Sequence, residues 1–396
     1  MGLILFDNNR ENLKPFTFTR PVAELRIGIL TIREKWERML NMEASYYTEP
    51  YLSTKYPSNF ERSNILVNGS ILPSQELCDY ILQSLPVNTL LVKGDTSIAL
   101  KATQAAAEAF LTGEKKVSTV LEFDLDCVEI EHTWDLFLKN GAALAADFAL
   151  LTEGRTSQPL SSTNTVIGAA DQIFLEEGAW VECAILNTEN GPIYIGKNAT
   201  VMEGSMIRGG FALCESSTTK MGAKVYGPTT IGPHSKIGGE VNNSIIFGYT
   251  NKGHDGFLGN SVLGEWCNLG ADTNNSNLKN NYGEVRVWNY TNHSFVSTGL
   301  QFCGLIMGDH SKTGINTMIN TGTVVGVSSN LFGGDFPQKY VPSFSWGSIK
   351  GFETYLLDKA METSARVMER RNKKLDATEQ AILKHIFKET EANRKY

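Results

Sequence analysis

Written in sixes, the stretch from Ile195 to Asn242 keeps one column apolar: Ile195, Val201, Ile207, Leu213, Val225, Ile231 and Ile237, with Thr219 as the exception. Four places further on, the column is mostly small: Ala199, Ser205, Ser217, Ala223, Thr229 and Ser235, with Phe211 and Val241 larger. The register returns at Phe257, Leu263 and Leu269, and again at Met307, Thr313, Ile319, Val325 and Leu331. A period of six matches neither an α-helix nor an alternating strand. It matches a chain that lays down a short strand and turns a corner every six residues, three times per coil. Ordering six residues costs about 6–12 kcal/mol of backbone entropy, whereas one buried aliphatic side chain returns about 1.5–3. No single six is stable alone, so many coils must stack. The pattern predicts a left-handed parallel β-helix of hexapeptide repeats.

The flanks read differently. Leu3–Phe6 is a continuous apolar run of the buried-strand type, and Ile65–Val67 and Thr89–Val92 read as further strands. Ile29–Leu40 places Ile29, Ile32, Trp36 and Leu40 on one helical face, alanine-rich Ala99–Leu111 reads as a helix, and Thr133–Leu138 opens a short helix with Thr133 or His132 near its cap. Alternating strands and helices predict a doubly wound α/β domain over residues 1–155, with a polar linker at Gly154–Thr165. The β-helix is expected over 156–345 and a helical tail over 346–396. Residues 278–304 interrupt the sixes, and there Val285–Trp288 and Phe295–Val296 alternate like a hairpin arm that overhangs a site or a neighbouring subunit. In the tail, Leu356, Ala360, Thr363 and Val367 form one stripe, and Asp376–Glu379 has the form of a capping box. The basic cluster Arg366, Arg370, Arg371, Lys373 and Lys374 reads as a solvated face, with contact to a CoA phosphate as the lesser alternative.

A net charge of −7 argues against nucleic acid or an anionic membrane as a partner. Six scattered cysteines without a C-x-x-C pair read as reduced thiols, and no apolar run approaches the roughly 20 residues of a membrane helix. The opening Met1–Phe6 reads as a first strand rather than a leader, so the expected location is cytoplasmic. His234, His293 and His310 lack the His-x-x-x-x-His spacing of a β-helical zinc site.

The segment Leu13-Lys14-Pro15-Phe16-Thr17-Phe18-Thr19-Arg20-Pro21-Val22-Ala23-Glu24-Leu25 resembles the opening of a sugar-1-phosphate nucleotidylyltransferase, and the chain is most similar to the GlmU-like sugar nucleotidyltransferases of bacteria. In that family a glycine-rich loop after the first strand cradles a triphosphate with its N–H groups. Here the matching stretch is Asp7-Asn8-Asn9-Arg10-Glu11-Asn12, with no glycine between Leu3 and Ile27. The resemblance implies that Arg10, Lys14 and Arg20 meet a nucleotide and that Asp95 holds Mg²⁺.

A second resemblance covers Asn251–Thr273. Bifunctional N-acetylglucosamine-1-phosphate uridylyltransferase/glucosamine-1-phosphate acetyltransferases carry His-x-x-Tyr-x-Gly-Asp followed by Asn-Ile-Gly-Ala-Gly-Thr. Here His254 and Asn268-Leu269-Gly270-Ala271-Asp272-Thr273 match without a gap. The resemblance implies that His254 is the general base toward acetyl-CoA, a task that suits a neutral imidazole. It also implies that Asn268 contacts a sugar phosphate, that Asn277 lies near the acyl carbonyl, that Asn242 and Lys252 complete the substrate contacts, and that the protein is a homotrimer. Phe257 replaces the family tyrosine, Asn242 and Asn243 replace a lysine pair, and Leu278 replaces a further tyrosine. Three functions follow: an acetyl-CoA-dependent acyltransferase acting on a sugar phosphate or nucleotide sugar, a sugar-1-phosphate nucleotidylyltransferase whose β-helix serves assembly, or a non-catalytic trimeric scaffold.

Overall fold

The computed structural model describes residues 1–114, 117 and 119–396, and the chain divides into two compact units. The first holds Met1–Leu13, Thr19–Leu25 and Leu30–His132; the second holds Lys14–Phe18, Arg26–Ile29 and Thr133–Tyr396.

The first unit is built on a mixed sheet. Among the described residues it has six strands, ordered Ala44–Tyr47, Gly2–Phe6, Ser63–Asn68, Thr96–Thr103, Thr89–Lys93 and Thr119–Glu122. The first three run parallel, Thr96–Thr103 is antiparallel to both its neighbours, and Thr119–Glu122 runs parallel to Thr89–Lys93. The helices here are α1 (Ile32–Leu40), α2 (Gln75–Asp79) and α3 (Gln104–Leu111). A reciprocal Thr31–Glu34 capping box starts α1, and buried Trp36 donates its indole N–H to the Ile71 carbonyl at 2.8 Å. The helix expected from Ala99 begins only at Gln104. Residues 99–103 are strand, because pairing on both sides outweighs alanine's helical preference.

The second unit opens with α4 (Asp135–Thr152), an 18-residue helix rather than a short one. Its N-cap is Trp134, which makes no side-chain capping bond, and Thr133 and His132 lie just before it, near the cap as expected. A parallel β-helix follows. One of its faces stacks nine strands among the described residues, from Ile173–Leu175 to Tyr340–Val341. In register, Ile195 pairs with Leu213 and Leu213 with Ile231, a step of eighteen residues or three sixes. The apolar column fills the prism: Ile195, Val201, Leu213, Ile231 and Ile237 are fully buried. Phe257 departs from the expectation. The inward residue of that side is Leu258, which pairs with Val241, while Phe257 points outward and is half-buried.

The small column does more than leave room. Along one inner corner, Ser217, Ser235 and Thr250 donate their hydroxyls to the carbonyls of Gly232, Phe247 and Gly264, each at 2.7 Å. Each hydroxyl also accepts an amide N–H from the next coil, from Ser235, Thr250 and Cys267 at 3.2, 3.0 and 2.9 Å. Ser311 and Ser329 continue the ladder. These polar atoms are buried at little cost because every rung is paired.

The interruption is the expected hairpin, Arg286–Asn289 against Ser294–Ser297, and Trp288 stacks on Tyr340 with centroids 4.1 Å apart. Strands Ser345–Ser348 and Gly351–Thr354 end the prism, so helix starts after Phe352 with α5 (Leu357–Glu369), followed by α6 (Ala377–Glu389), which Asp376 caps through the Glu379 N–H at 2.9 Å. The buried face of α5 is Ala360, Ser364 and Met368 rather than the expected stripe.

Candidate active site

The site grows from one face of the prism, where outward and inward residues alternate. Outward, Lys236 pairs with Asn251, Asn251 with Asn268 and Asn268 with Lys312. Two residues before each comes a corner with left-handed backbone: His234, Tyr249, Trp266 and His310 have φ of 59°, 60°, 60° and 61°. Neighbouring coils place Asn198, Ser216 and Ser328 there. Aromatic rings at such corners carry a backbone cost, and here they offset it by stacking. Centroids are 4.8 Å apart from His234 to Tyr249, 4.1 Å from Tyr249 to Trp266 and 6.3 Å from Trp266 to His310, with planes within 18°.

Against this face lies a cleft of about 800 Å³. Its walls include Tyr249, Trp266, Asn251, Asn268, Lys220, Lys236 and Lys312 from the β-helix, His254 and Ile315 from corners, and Val367, Arg370 and Arg371 from the end of α5. Arg371 donates to the Asn251 side-chain oxygen at 3.2 Å. Among the described residues five cations and no carboxylate line the cleft, and none of the five forms a salt bridge. The crowding shows in protonation. Burial, then Arg371, Lys220 and Arg370, hold the Lys236 ammonium below the usual lysine range, and burial lowers Lys312 too. An anion entering the cleft would relieve that repulsion.

His254 sits on the corner Gly253–Gly256, exposed, and its ring makes no hydrogen bond among the described residues. The corner ends at Gly256, whose φ is +114° and where a Cβ would stand 2.3 Å from the Thr273 carbonyl oxygen, so only glycine fits. Lys252 points into the prism beside Ile237, 2% exposed, and its Nζ donates to the His254 carbonyl at 2.6 Å. Cys267 also borders the cleft, but burial pushes its thiol up to about 12, which leaves no thiolate nucleophile near neutral pH.

The structure thus brings His254 and Asn268 into one cleft, with Lys252 behind them. Asn242 and Asn277 lie elsewhere. Asn242 pairs with Gly259 on another face and donates to the Tyr226 carbonyl at 3.3 Å, and Asn277 donates to the Asn260 side chain at 2.8 Å. Sequence reasoning missed the three lysines, whereas Arg370 and Arg371 belong to the cluster for which a CoA phosphate contact was the lesser alternative. The signal for the lysines was position: Lys236 and Lys312 each precede an inward residue, so they face outward on the same side as Asn268.

In the first unit, the stretch expected to meet a nucleotide is internally occupied. Asp7 accepts the Val22 N–H at 2.7 Å, the Thr48 hydroxyl at 2.5 Å and the Arg10 guanidinium at 3.0 Å, and Arg10 also donates to Tyr51 at 2.7 Å and to the Arg20 carbonyl at 3.1 Å. Arg20 is buried. Glu129 accepts from Asn9, Ser70 and Thr96 at 2.6, 3.0 and 3.1 Å, just beyond the carboxyl ends of two parallel strands. Asp95 is exposed in the turn between Thr89–Lys93 and Thr96–Thr103, and among the described residues no group of three or more potential metal ligands gathers. In the second unit, Lys14 is buried and ion-paired with Glu389 at 2.7 Å.

Residues 3–156 match the family model for sugar nucleotidyl transferases. Over 102 residues the chain is 33% identical to a bifunctional sugar-1-phosphate nucleotidylyltransferase/acetyltransferase of Sulfurisphaera tokodaii, covering 25% of each. It is 38% identical over 87 residues to the bifunctional protein GlmU of Methanocaldococcus jannaschii, covering 22% of this chain and 21% of that one. The match therefore spans about a quarter or less of those two relatives. An uncharacterized acetyltransferase, YaiX, of Escherichia coli O6:K15:H31 is 24% identical over 174 residues, covering 43% of this chain and 70% of that protein. Among solved structures, the polySia specific acetyltransferase NeuO aligns with 53% of this chain and 100% of its own at 14% identity and a TM-score of 0.30.

Proposed function

With an N-terminal domain of the sugar nucleotidyl transferase family on a GlmU-like chain, we propose that this protein is an acyltransferase that moves an acetyl group from acetyl-CoA to a sugar phosphate or nucleotide sugar. One observation carries the reading: an exposed imidazole, His254, shares a cleft with five cations, none of which forms a salt bridge among the described residues. Both substrates are polyanions, and such a cleft binds and orients them.

In the reaction, an acceptor amine or hydroxyl attacks the thioester carbonyl carbon. The new C–N or C–O bond forms and the C–S bond breaks. His254 takes the acceptor's proton and returns it to the departing CoA sulfur. The cationic wall meets the negative charge that develops on the carbonyl oxygen. The buried, protonated thiol of Cys267 makes a covalent acyl-enzyme the poorer route.

The family match of residues 3–156 favours a second reading, nucleotidyl transfer. Against it stand two carboxylates, Asp7 and Glu129, around the loop where a triphosphate would lie, with the Arg10 charge already engaged. The purified chain given acetyl-CoA and a panel of amino-sugar phosphates and nucleotide sugars should release free CoA thiol, and His254→Gln should lose this by about 10²–10⁴-fold. Pyrophosphate released from UTP or dTTP with a hexose-1-phosphate, and no CoA with any acceptor, would overturn the proposal in favour of the second reading.

A further inference from the structure

We infer that Lys252 is a positioning residue that holds the His254 corner from inside the prism, a role that rests on reading His254 as the proton acceptor. On the coils of this face the other inward residues include Val201, Thr219, Ile237, Leu269, Thr313 and Leu331, all buried and none charged. Lys252 occupies the same place and is 2% exposed. Burying an ammonium in a hydrophobic prism costs stability, so the position is not explained by packing.

What the ammonium does there is specific. Its Nζ donates to the carbonyl of His254, two residues on, at 2.6 Å. The imidazole has no other hold: it is exposed and makes no hydrogen bond among the described residues. A tie to the backbone fixes the peptide that carries the ring and leaves both ring nitrogens for the cleft. At the far end of the corner Gly256 lies so close to the Thr273 backbone that no Cβ would fit. The charged groups facing Lys252 are Asp255 on its own corner and Asp272 on the next coil, both exposed. Burial outweighs them and brings the Lys252 ammonium down to about 8, so the tie changes character just above neutral pH.

Lys252→Met keeps the stem and removes the ammonium. Expected in the full chain are turnover of acetyl-CoA at least tenfold lower and a KM for acetyl-CoA within twofold of wild type. In amide NMR spectra, the signals of His254 and Asp255 should move with a midpoint near pH 8 in wild type and lose that midpoint in Lys252→Met. Unchanged turnover, or a midpoint that survives the substitution, overturns the role. The spectra need no catalysis, so a wild type that releases no CoA defeats the acyl-transfer reading while the amide titration still judges the Lys252–His254 tie. Should Lys252→Met not fold, wild-type spectra without an inflection near pH 8 overturn the role by themselves.

Discussion

The buried Lys252 ammonium also makes the stability of the chain depend on pH. Its ammonium is lowered from 10.5 to about 8 by burial, with Asp255 and Asp272 opposing. At about 1.4 kcal/mol per pKa unit, holding the charge inside the fold costs about 3 kcal/mol. Between pH 8 and 10.5 the unfolded chain binds a proton that the folded chain has released, so stability rises with pH through this window. Below pH 8 both states are charged and the full cost is present. Replacing Lys252 with Met removes the charge, and the offset between variant and wild type should shrink by about 2–3 kcal/mol from pH 7 to pH 10. The absolute offset also contains packing and the lost bond to His254, but its change with pH does not. Buried tyrosines such as Tyr290, raised well above their usual value chiefly by burial, add their own slope at high pH, and this cancels between the two proteins. The assay is urea unfolding followed by far-UV circular dichroism at pH 7, 8, 9 and 10, read as the difference at each pH. A flat difference would refute the reasoning, because it would mean that Lys252 titrates alike in the folded and unfolded chain.

Thr219, the exception in the apolar column, is fully buried and its hydroxyl has no hydrogen-bond partner among the described residues. Thr219→Val should therefore stabilise by about 1–2 kcal/mol, measured by urea unfolding with an unchanged m-value; destabilisation would show that the hydroxyl is satisfied. A Cβ at Gly326 would lie 2.3 Å from the Ser343 amide nitrogen on the next coil, so Gly326→Ala should cost about 1–3 kcal/mol in the same assay. In the cleft, Lys236→Met and Arg371→Met should each raise the KM for acetyl-CoA about 5–10-fold, and the wild-type KM should rise with salt. Equal KM values at 50 mM and 300 mM salt would remove the cations from substrate binding.

The sequence announced the prism clearly because an inward position every six residues leaves a record that no other regular structure produces. It announced the details less well where local and long-range forces compete. Residues 99–103 carry alanines that favour a helix, yet they lie between two strands and pair with both. Phe257 matched the column by spacing, but the inward step there falls on Leu258, and a slip of one residue exchanges the inner and outer faces. The cleft was the hardest to read. Lys220, Lys236, Lys312 and Arg370 span much of the second unit, and nothing in their separations says that they meet. Winding brings the first three to one face, since Lys236, Asn251, Asn268 and Lys312 are successive rungs of one outward column, and α5 supplies Arg370 and Arg371 from a cluster whose composition alone looked like a solvated surface. Lys252 shows the same dependence at the scale of a single residue. Beside His254 in the sequence it looks like a further substrate contact, but the rung that pairs Ile237 with Lys252 turns it inward. For a coiled chain, then, the separation of two charges counted in coils, rather than in residues, decides whether they share a site, and the parity of each position within its rung decides whether it faces substrate or core.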